Sequence, residues 1–255
     1  AVTTGVDRSK LGQHYTSVSN ILKLIKPLFL DEFYEELEKS TTINQLYKLQ
    51  NRIAKAKFFD PACGSGNFLI ITYKELRVLE IEIIKKIIEL SDGNVLNAFA
   101  SQIKISQFYG IEIDDFAHEI ATLSLWLAEH QMNIIFEERL FEFAQVVSIL
   151  PLKSIANIVQ GNSTRLNWEY VCPISETDEV YVIGNPPFEG SRGQVENQKD
   201  DLKVVFREDY KNLDYVSAWF YKGVQYIENK NAKCAFVSTN SICQGLQVAL
   251  LWKRM

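Results

Sequence analysis

The sequence predicts an α/β fold in which helices flank a mostly parallel central sheet, with a helical extension at the N-terminus. After about residue 57, short apolar runs alternate with long helical patterns, and each run ends in a turn that carries glycine or polar side chains. This alternation is typical of parallel strands joined by helical crossovers. We therefore divide the chain into a helical segment, 1–56, and an α/β domain, 57–255.

The composition agrees with one large folded unit. The chain has 255 residues, of which 47% are hydrophobic and 12% aromatic, and this excludes a disordered chain. No apolar run reaches about 18 residues, the length that a membrane-spanning helix needs. The four cysteines form no Cys-x-x-Cys pair, so we predict reduced thiols in a cytoplasmic protein and no metal site.

The N-terminal segment contains two predicted helices, at 18–37 and 43–56. Pro27 lies inside the first pattern and should kink or divide that helix, because proline has no N–H and clashes with the preceding turn. A polar loop with the sequence LGQHYTS precedes both helices.

The remaining elements follow in order along the chain. We predict strands at 57–60, 108–113, 155–159, 180–183 and 234–237, and helices at 69–90, 115–129 and 213–227. In the helix 69–90 the apolar residues recur at intervals of three and four, which gives one inward stripe. The polar stretch 189–201 is predicted to be a mobile loop.

Four polar side chains come at the ends of four predicted strands: Asp60, Glu112, Asn162 and Asn185. In an open parallel sheet, ligands bind just beyond the carboxyl ends of the strands. We therefore expect these four side chains to line one crevice.

A glycine-rich turn, DPACGSGNF, follows the first strand. Gly64 and Gly66 allow a tight turn and the close approach of a ligand, although such a turn can also be purely structural. The turn is not a P-loop, and it lacks the G-x-G-x-x-G of dinucleotide sites. Glu112, at the end of the second strand, has two oxygens that suit the two hydroxyls of a ribose.

A second motif, GNPPF, follows the fourth strand. Its two prolines fix φ and remove two N–H donors. Acceptors remain, namely the side-chain oxygen of Asn185 and the carbonyl of Pro186, beside the aromatic ring of Phe188. Acceptors next to a flat ring suit a planar heterocycle that carries an amino group.

Together, DPACGSGNF and GNPPF resemble the S-adenosylmethionine-dependent adenine-N6 DNA methyltransferases, which have a Rossmann-like class I methyltransferase fold. LGQHYTS and FYGIEIDDFA are similar to further motifs of these enzymes. GNPPFEGSRGQ, LDYVSAWF and AFVSTNSICQG resemble the methylase part of bacterial single-chain restriction-modification enzymes. The resemblance covers residues 11–245.

The resemblance implies an S-adenosylmethionine site. Its methionine part would contact Asp60, Ala62, Gly64 and Gly66, and His14, Tyr15 and Thr16 would close over it. Glu112 would hold the ribose and Ile113 would pack on the adenine ring. Asn162 would accept a hydrogen bond from the adenine amino group, at a position where the family often carries Asp.

The resemblance also implies the catalytic site. Asn185 and Pro186 would accept hydrogen bonds from the target amino group, Pro187 would fix the turn, and Phe188 would stack on an adenine that has left the duplex. No cysteine or histidine nucleophile is needed, so we read Cys63 as a small residue packed in its turn.

Double-stranded DNA is the implied partner, through a target-recognition region that this chain lacks. The net charge of −5 opposes phosphate binding by the chain itself, and the apolar residues of LLWKRM predict that the natural sequence continues. Two alternatives stay open: a methyltransferase of the same fold acting on RNA bases or protein glutamine, and a non-catalytic cofactor-binding module. LGQHYTS and the long helix favour DNA, and the intact NPPF argues against a non-catalytic module.

Overall fold

The computed structural model describes residues 16–91, 99–141, 156–245 and 247–255. Its centre is one sheet of five strands in the order β3-β2-β1-β4-β5, and all four pairings are parallel. The strands are β1 (Lys57–Asp60), β2 (Phe108–Glu112), β3 (Asn157–Gln160), β4 (Val180–Gly184) and β5 (Ala232–Phe236). The predicted parallel sheet is confirmed, and β5 begins two residues earlier than predicted.

Helices flank this sheet. They are α1 (Val18–Ile25), α2 (Asp31–Lys39), α3 (Ile43–Lys55), α4 (Asn67–Leu90), α5 (Asp115–Leu140), α6 (Trp168–Val171), α7 (Glu196–Phe206), α8 (Ser217–Ile227) and α9 (Gln247–Trp252). Helix α5 continues beyond the predicted end at residue 129, because Met132, Phe136 and Leu140 extend its buried face. None of the helices in the described ranges is long and apolar enough to cross a membrane.

The N-terminal helices pack on one face of the sheet. Pro27 divides the first predicted helix as expected, because a π-helical turn, Lys26–Leu30, separates α1 from α2. Within that turn, Phe29 lies 5.2 Å from the ring of Phe58 in β1 and 4.7 Å from the ring of Tyr181 in β4. The helical extension and the sheet therefore share one hydrophobic core.

An ion network joins the same helices to the sheet. The guanidinium of Arg52, in α3, donates to Glu36 in α2 at 2.6 Å and to Glu179, just before β4, at 2.7 Å. A third carboxylate, Glu32, accepts from Arg52 and also from Lys233 in β5. The side chain of Arg52 is about a third exposed, so solvent screening limits the energy of each pair.

The sheet separates two hydrophobic cores. Successive strand residues face opposite sides, so Phe58 packs among α1–α5, whereas Phe59 packs against Trp168 and the helices α7 and α8. Both faces of β1 are covered, and β1 is the middle strand of the sheet. Its carboxyl end therefore lies at the centre of the sheet edge where the ligand site is predicted.

The predicted mobile loop 189–201 is wrong in its second half. Helix α7 begins at Glu196, and Asp201 and Leu202 on it are buried. Before the helix, the buried Gln194 donates from Nε2 to the carbonyls of Leu213, at 2.8 Å, and Glu189, at 3.2 Å. The hydrophobic pattern does not predict this helix, because it has few apolar residues and one of its buried positions is the carboxylate of Asp201.

The apolar residues of LLWKRM differ in their burial. Leu251, on α9, is completely buried in the core with α7 and α8, whereas the side chain of Trp252 is 47% exposed and its indole donates to the carbonyl of Ile242 at 3.0 Å. Leu251 therefore has cover within the chain, and the continuation of the natural sequence stays a prediction.

We expect Gly66→Val to destabilise the fold. Gly66 has φ of +85°, and a Cβ there would lie 3.3 Å from both Cα and Cβ of Ala121 on α5. Backbone strain and overpacking should together lower the free energy of unfolding by about 2–4 kcal/mol. Chemical denaturation measures this loss. Gly64→Ala is the control: its φ is +54° but its Cβ would meet nothing within 4 Å, so it should cost clearly less. Equal losses would contradict this account.

Candidate active site

The first wall of the site is the turn after β1. The carboxylate of Asp60 is buried, and its Oδ1 accepts the backbone N–H of Ala62 at 2.9 Å. Two further bonds fix the turn: the indole of Trp219 donates to the carbonyl of Pro61 at 3.1 Å, and the N–H of Cys63 donates to the carbonyl of Ile111 at 3.0 Å. The turn is therefore rigid before any ligand binds.

The second wall is Glu112, at the end of β2. Its Oε2 accepts the N–H of Gly64 at 2.8 Å, and its Oε1 accepts the N–H of Asp114 at 2.9 Å. An ionised carboxylate has about four acceptor positions, so two remain for a ligand. A diol can donate to both, which fits the ribose role implied by the resemblance.

Two acidic side chains, Asp60 and Glu112, share this crevice. Burial, with a smaller contribution from the charge of Glu112, raises the pKa of Asp60 to about 8. Burial also raises the pKa of Glu112. Two desolvated acids in one crevice are stabilised by a cation, and S-adenosylmethionine carries a sulfonium and an ammonium group.

The thiol of Cys63 has no catalytic role in this arrangement. Burial, followed by the charges of Asp60 and Glu112, raises its pKa, so it stays protonated. A Cβ added to Gly110 would lie only 2.9 Å from its Sγ. Cys63 is thus a small residue packed tightly against β2, as its sequence context predicted.

The motif after β4 meets the first wall directly. A Cβ at Gly184 would collide with the carboxylate of Asp60, so only glycine allows this approach. The next residue, Asn185, donates from Nδ2 to the hydroxyl of Thr16 at 3.0 Å. Its Oδ1 is buried and has no hydrogen-bond partner within the described part of the chain. The site therefore contains an acceptor that awaits a donor.

Asn162 follows β3, but its polar atoms are already engaged. Its Oδ1 accepts the N–H of Thr164 at 2.9 Å and the hydroxyl of Thr164 at 2.6 Å. Its Nδ2 donates to the carboxylate of Asp201, at 3.0 and 3.1 Å to the two oxygens. Both lone pairs of Oδ1 are thus used within the chain, so adenine binding by Asn162 stays a prediction that these contacts do not favour.

Asp201 is a buried residue beside the site that sequence reasoning missed. It is 3% exposed, and it also accepts from the Nε of Arg165 at 2.8 Å and from the hydroxyl of Tyr215 at 2.7 Å. It thereby ties the turn after β3 to α7 and to the segment before α8. Asn162 is explained by this neighbour, since an Asp there would face a second carboxylate.

The other predicted site residues differ in their exposure. The side chain of Ile113 is 61% exposed, which leaves it free to pack on a flat ring. Pro186 is buried, and Pro187 and Phe188 are half-buried; Phe188 packs at the edge of the second core. His14 and Tyr15 lie outside the described residues.

A cluster of potential metal ligands lies at the start of α5. Ligand atoms of Asp115, His118 and Glu119 lie within 4.8 Å of one another. The ring of His118 already contacts the carbonyl of Ile158, at 3.2 Å, and Glu119, at 3.3 Å. Nε2 of His118 is the ring nitrogen with a hydrogen bond, and Asp115 and Glu119 are exposed carboxylates, so we interpret the group as a helix-surface contact.

We expect Asn162→Asp to destabilise the protein and Asp201→Asn to rescue it. The single change places two carboxylates in contact, whereas the double variant restores one amide donor to one carboxylate. The single change should cost about 1–3 kcal/mol of unfolding free energy. Chemical denaturation of the four proteins of this double-mutant cycle gives the coupling energy. Additive losses would show that the two side chains do not act as a pair.

Comparison with known proteins establishes the family of this chain. Residues 35–255 match the family described as MmeI, DNA-methyltransferase domain. The chain is 52% identical over 259 residues to DNA methyltransferase A of Bacillus subtilis (strain 168), a match that covers 100% of this chain and 29% of the relative. The solved structure of the type IIL restriction-modification enzyme MmeI in complex with DNA superposes with a TM-score of 0.89 and 45% identity, over 99% of this chain and 34% of that one. The chain thus spans about a third of these relatives and belongs to the MmeI DNA-methyltransferase domain family.

Proposed function

We propose that this protein transfers a methyl group from S-adenosylmethionine to the N6 amino group of an adenine flipped out of DNA, as part of a restriction-modification system. The observation that carries this proposal is the buried Oδ1 of Asn185, which has no hydrogen-bond partner among the described residues and lies beside the acidic crevice of Asp60 and Glu112. Methyl transfer to an amino group requires a hydrogen-bond acceptor for that amino group next to a site for the positively charged methyl donor. The Oδ1 of Asn185 and the crevice of Asp60 and Glu112 would supply these two features.

The residues present fit the methyl donor. Asp60 would attract its positively charged methionine end, Glu112 would accept from the ribose hydroxyls, and Ile113 would cover the adenine ring. Gly64 leaves open space where a Cβ would stand, so the backbone can be approached closely. When bound, the cofactor supplies a methyl group on a positively charged sulfur.

The chain's own residues would then prepare the nucleophile. An exocyclic amino nitrogen is a weak nucleophile, because its lone pair is delocalised into the ring. Acceptance of its hydrogens by the Oδ1 of Asn185 and the carbonyl of Pro186 favours a tetrahedral nitrogen with an available lone pair. Phe188 would hold the flipped base by stacking. Positioning is the main contribution, so no strong base is required.

The proposal that DNA is the partner is supported by the similar proteins. MmeI has been solved in complex with DNA and is a restriction-modification enzyme. The net charge of −5 on this chain gives no overall attraction to phosphate, so we place sequence recognition in other regions of the full-length protein.

The test is methyl transfer by the full-length protein from labelled S-adenosylmethionine to DNA, RNA and protein in parallel. We expect label in DNA only, and nucleoside analysis should identify N6-methyladenine. Label in N4-methylcytosine would keep the DNA activity and overturn the adenine assignment. Label in RNA or protein glutamine would overturn the DNA assignment, and no transfer with intact cofactor binding would favour a non-catalytic module.

A further inference from the structure

We infer that Thr16 is a positioning residue for the catalytic amide: its hydroxyl accepts the Nδ2–H of Asn185 and so keeps the Oδ1 of Asn185 turned toward the target amino group. This inference rests on the proposed function and deepens it. The sequence resemblance placed Thr16 only among the residues that close over the cofactor. The contact with Asn185 gives it a second task, at the target base.

The first step is that Thr16 is itself held firmly. It is 9% exposed and lies directly before α1, whose first turn is closed by bonds from the N–H groups of Asn20 and Ile21 to the carbonyl of Ser17, both at 3.0 Å. Ile21 and Ile25 anchor that helix in the core, at 1% and 0% exposure. The hydroxyl therefore has a fixed place relative to the sheet.

The second step is that the backbone of Asn185 is fixed as well. The carbonyl of the preceding Gly184 accepts the N–H of Val237 at 2.9 Å, and Gly184 pairs with Phe236 of β5. What remains free in Asn185 is rotation of its side-chain amide. The bond from Nδ2 to Thr16, at 3.0 Å, is the hydrogen bond that the structure gives this amide.

The third step concerns the two orientations of that amide. In the orientation observed, Thr16 accepts and the Oδ1 of Asn185 is left buried with no partner in the described ranges. If the amide rotated by half a turn, its NH₂ would face the pocket and meet the amino group of the base donor to donor. Only the observed orientation presents an acceptor to the base. The hydroxyl of Thr16 could also donate to the Oδ1 of a rotated amide, so Thr16 holds the plane of the amide while the hydrogens of the base amino group select the observed orientation. Without a hydroxyl at position 16 neither orientation is held.

The decisive measurement is single-turnover methyl transfer by the full-length protein at saturating cofactor and DNA. Thr16→Val should lower the rate about 10-fold or more, a loss of about 1.4 kcal/mol or more in transition-state stabilisation. Thr16→Ser keeps the hydroxyl and should restore most of the rate. Thr177→Val is the matched control, because it removes an exposed hydroxyl before β4, at the opposite end of the strand.

A double variant separates positioning through Asn185 from a general structural effect. In an Asn185→Ala background there is no amide left to orient, so Thr16→Val should then cost less than about 2-fold. An undiminished further loss would overturn the inference. So would an unchanged rate in Thr16→Val, or a weaker cofactor affinity with an unchanged rate at saturation. If Thr16→Val does not fold, Thr16→Ala removes the same hydroxyl with a smaller side chain.

NMR spectroscopy tests this inference without measuring methyl transfer, so its result does not depend on the proposed function. In ¹⁵N-labelled protein, the side-chain NH₂ resonances of Asn185, assigned by their loss in Asn185→Ala, should shift in Thr16→Val and return in Thr16→Ser. An unshifted pair would overturn the positioning role. A wild-type protein that methylates cytosine, or nothing, would overturn the proposed function while this comparison still stands.

Discussion

Asn185→Ala should lower methyl transfer by about 100- to 1,000-fold, the usual loss when one preorganised polar group of a catalytic site is removed. The reason is that the Oδ1 of Asn185 is the acceptor left without a partner in the site, within the part of the chain that the structure describes. Cofactor affinity should stay within about threefold, because Asp60 and Glu112 are unchanged.

Single-turnover kinetics and calorimetry measure the two effects separately in the full-length protein. Asn51→Ala, an exposed change on α3, is the matched control and should leave both quantities unchanged. Asn185→Asp keeps an acceptor at the same place and should retain more activity than the alanine variant. Methylation by Asn185→Ala at the wild-type rate would refute the proposed mechanism.

Cofactor affinity should rise about tenfold between pH 6 and 7, more slowly between pH 7 and 8, and then level off, because Asp60 must lose a proton to hold a cation. Its pKa is about 8 in the free protein, mainly through burial and then through the charge of Glu112. The cationic ligand lowers that pKa, so binding below pH 8 releases a proton. Between pH 6 and 8 the ionised fraction of Asp60 rises from about 1% to about 50%, so the expected gain in affinity is about 50-fold.

Calorimetry at several pH values, in buffers of different ionisation enthalpy, measures both the affinity and the released proton. Asp60→Asn cannot ionise, so it should bind weakly and lose most of the pH dependence. Glu112→Gln is the necessary comparison, because burial raises the pKa of Glu112 too, and this variant should keep the step near pH 8 or shift it slightly lower. A flat affinity profile in the wild type would contradict the role of Asp60.

The same pKa has a consequence for stability. A carboxyl whose pKa is higher in the folded than in the unfolded protein binds more protons when folded. Asp60 moves from 3.8 to about 8. The ligand-free protein should therefore lose unfolding free energy as the pH rises from about 4 towards 8, and the bound cofactor should reverse this loss.

The sequence predicted the parallel sheet and the polar side chains at four of its strand ends, because those depend on local pattern. The apolar runs of β1 and β4 are short, and turns that contain glycine and proline follow them, so their ends are visible in the sequence alone. The resemblance added the roles of Asn185 and Phe188. Fold, family and the DNA-methyltransferase class are confirmed by the comparisons, whereas the individual site roles stay predictions.

The missed features depend on contacts between distant residues. Asp201 lies in a polar stretch whose sequence resembles a loop, and only its contacts with Asn162, Arg165 and Tyr215 show that it is a buried junction. Similarly, nothing in the sequence joins Thr16 to Asn185, which is 169 positions further on. The spacing of residues along the sequence does not predict which distant side chains come into contact in the folded sheet.

The strand order also has a consequence for synthesis on the ribosome. The central strand β1, which contains Phe58 and Phe59, pairs with β4. The edge of β1 that faces β4 therefore has no partner strand until about 120 further residues have been made. At typical elongation rates of about 5–20 residues per second, this interval lasts about 6–24 s. The nascent chain thus carries an open, aromatic strand edge, and the helices α1–α3, which are made before it, are the first segments able to shield one of its faces. Slow translation between β1 and β4 should therefore raise aggregation, and a shortened α1–α3 should raise it further.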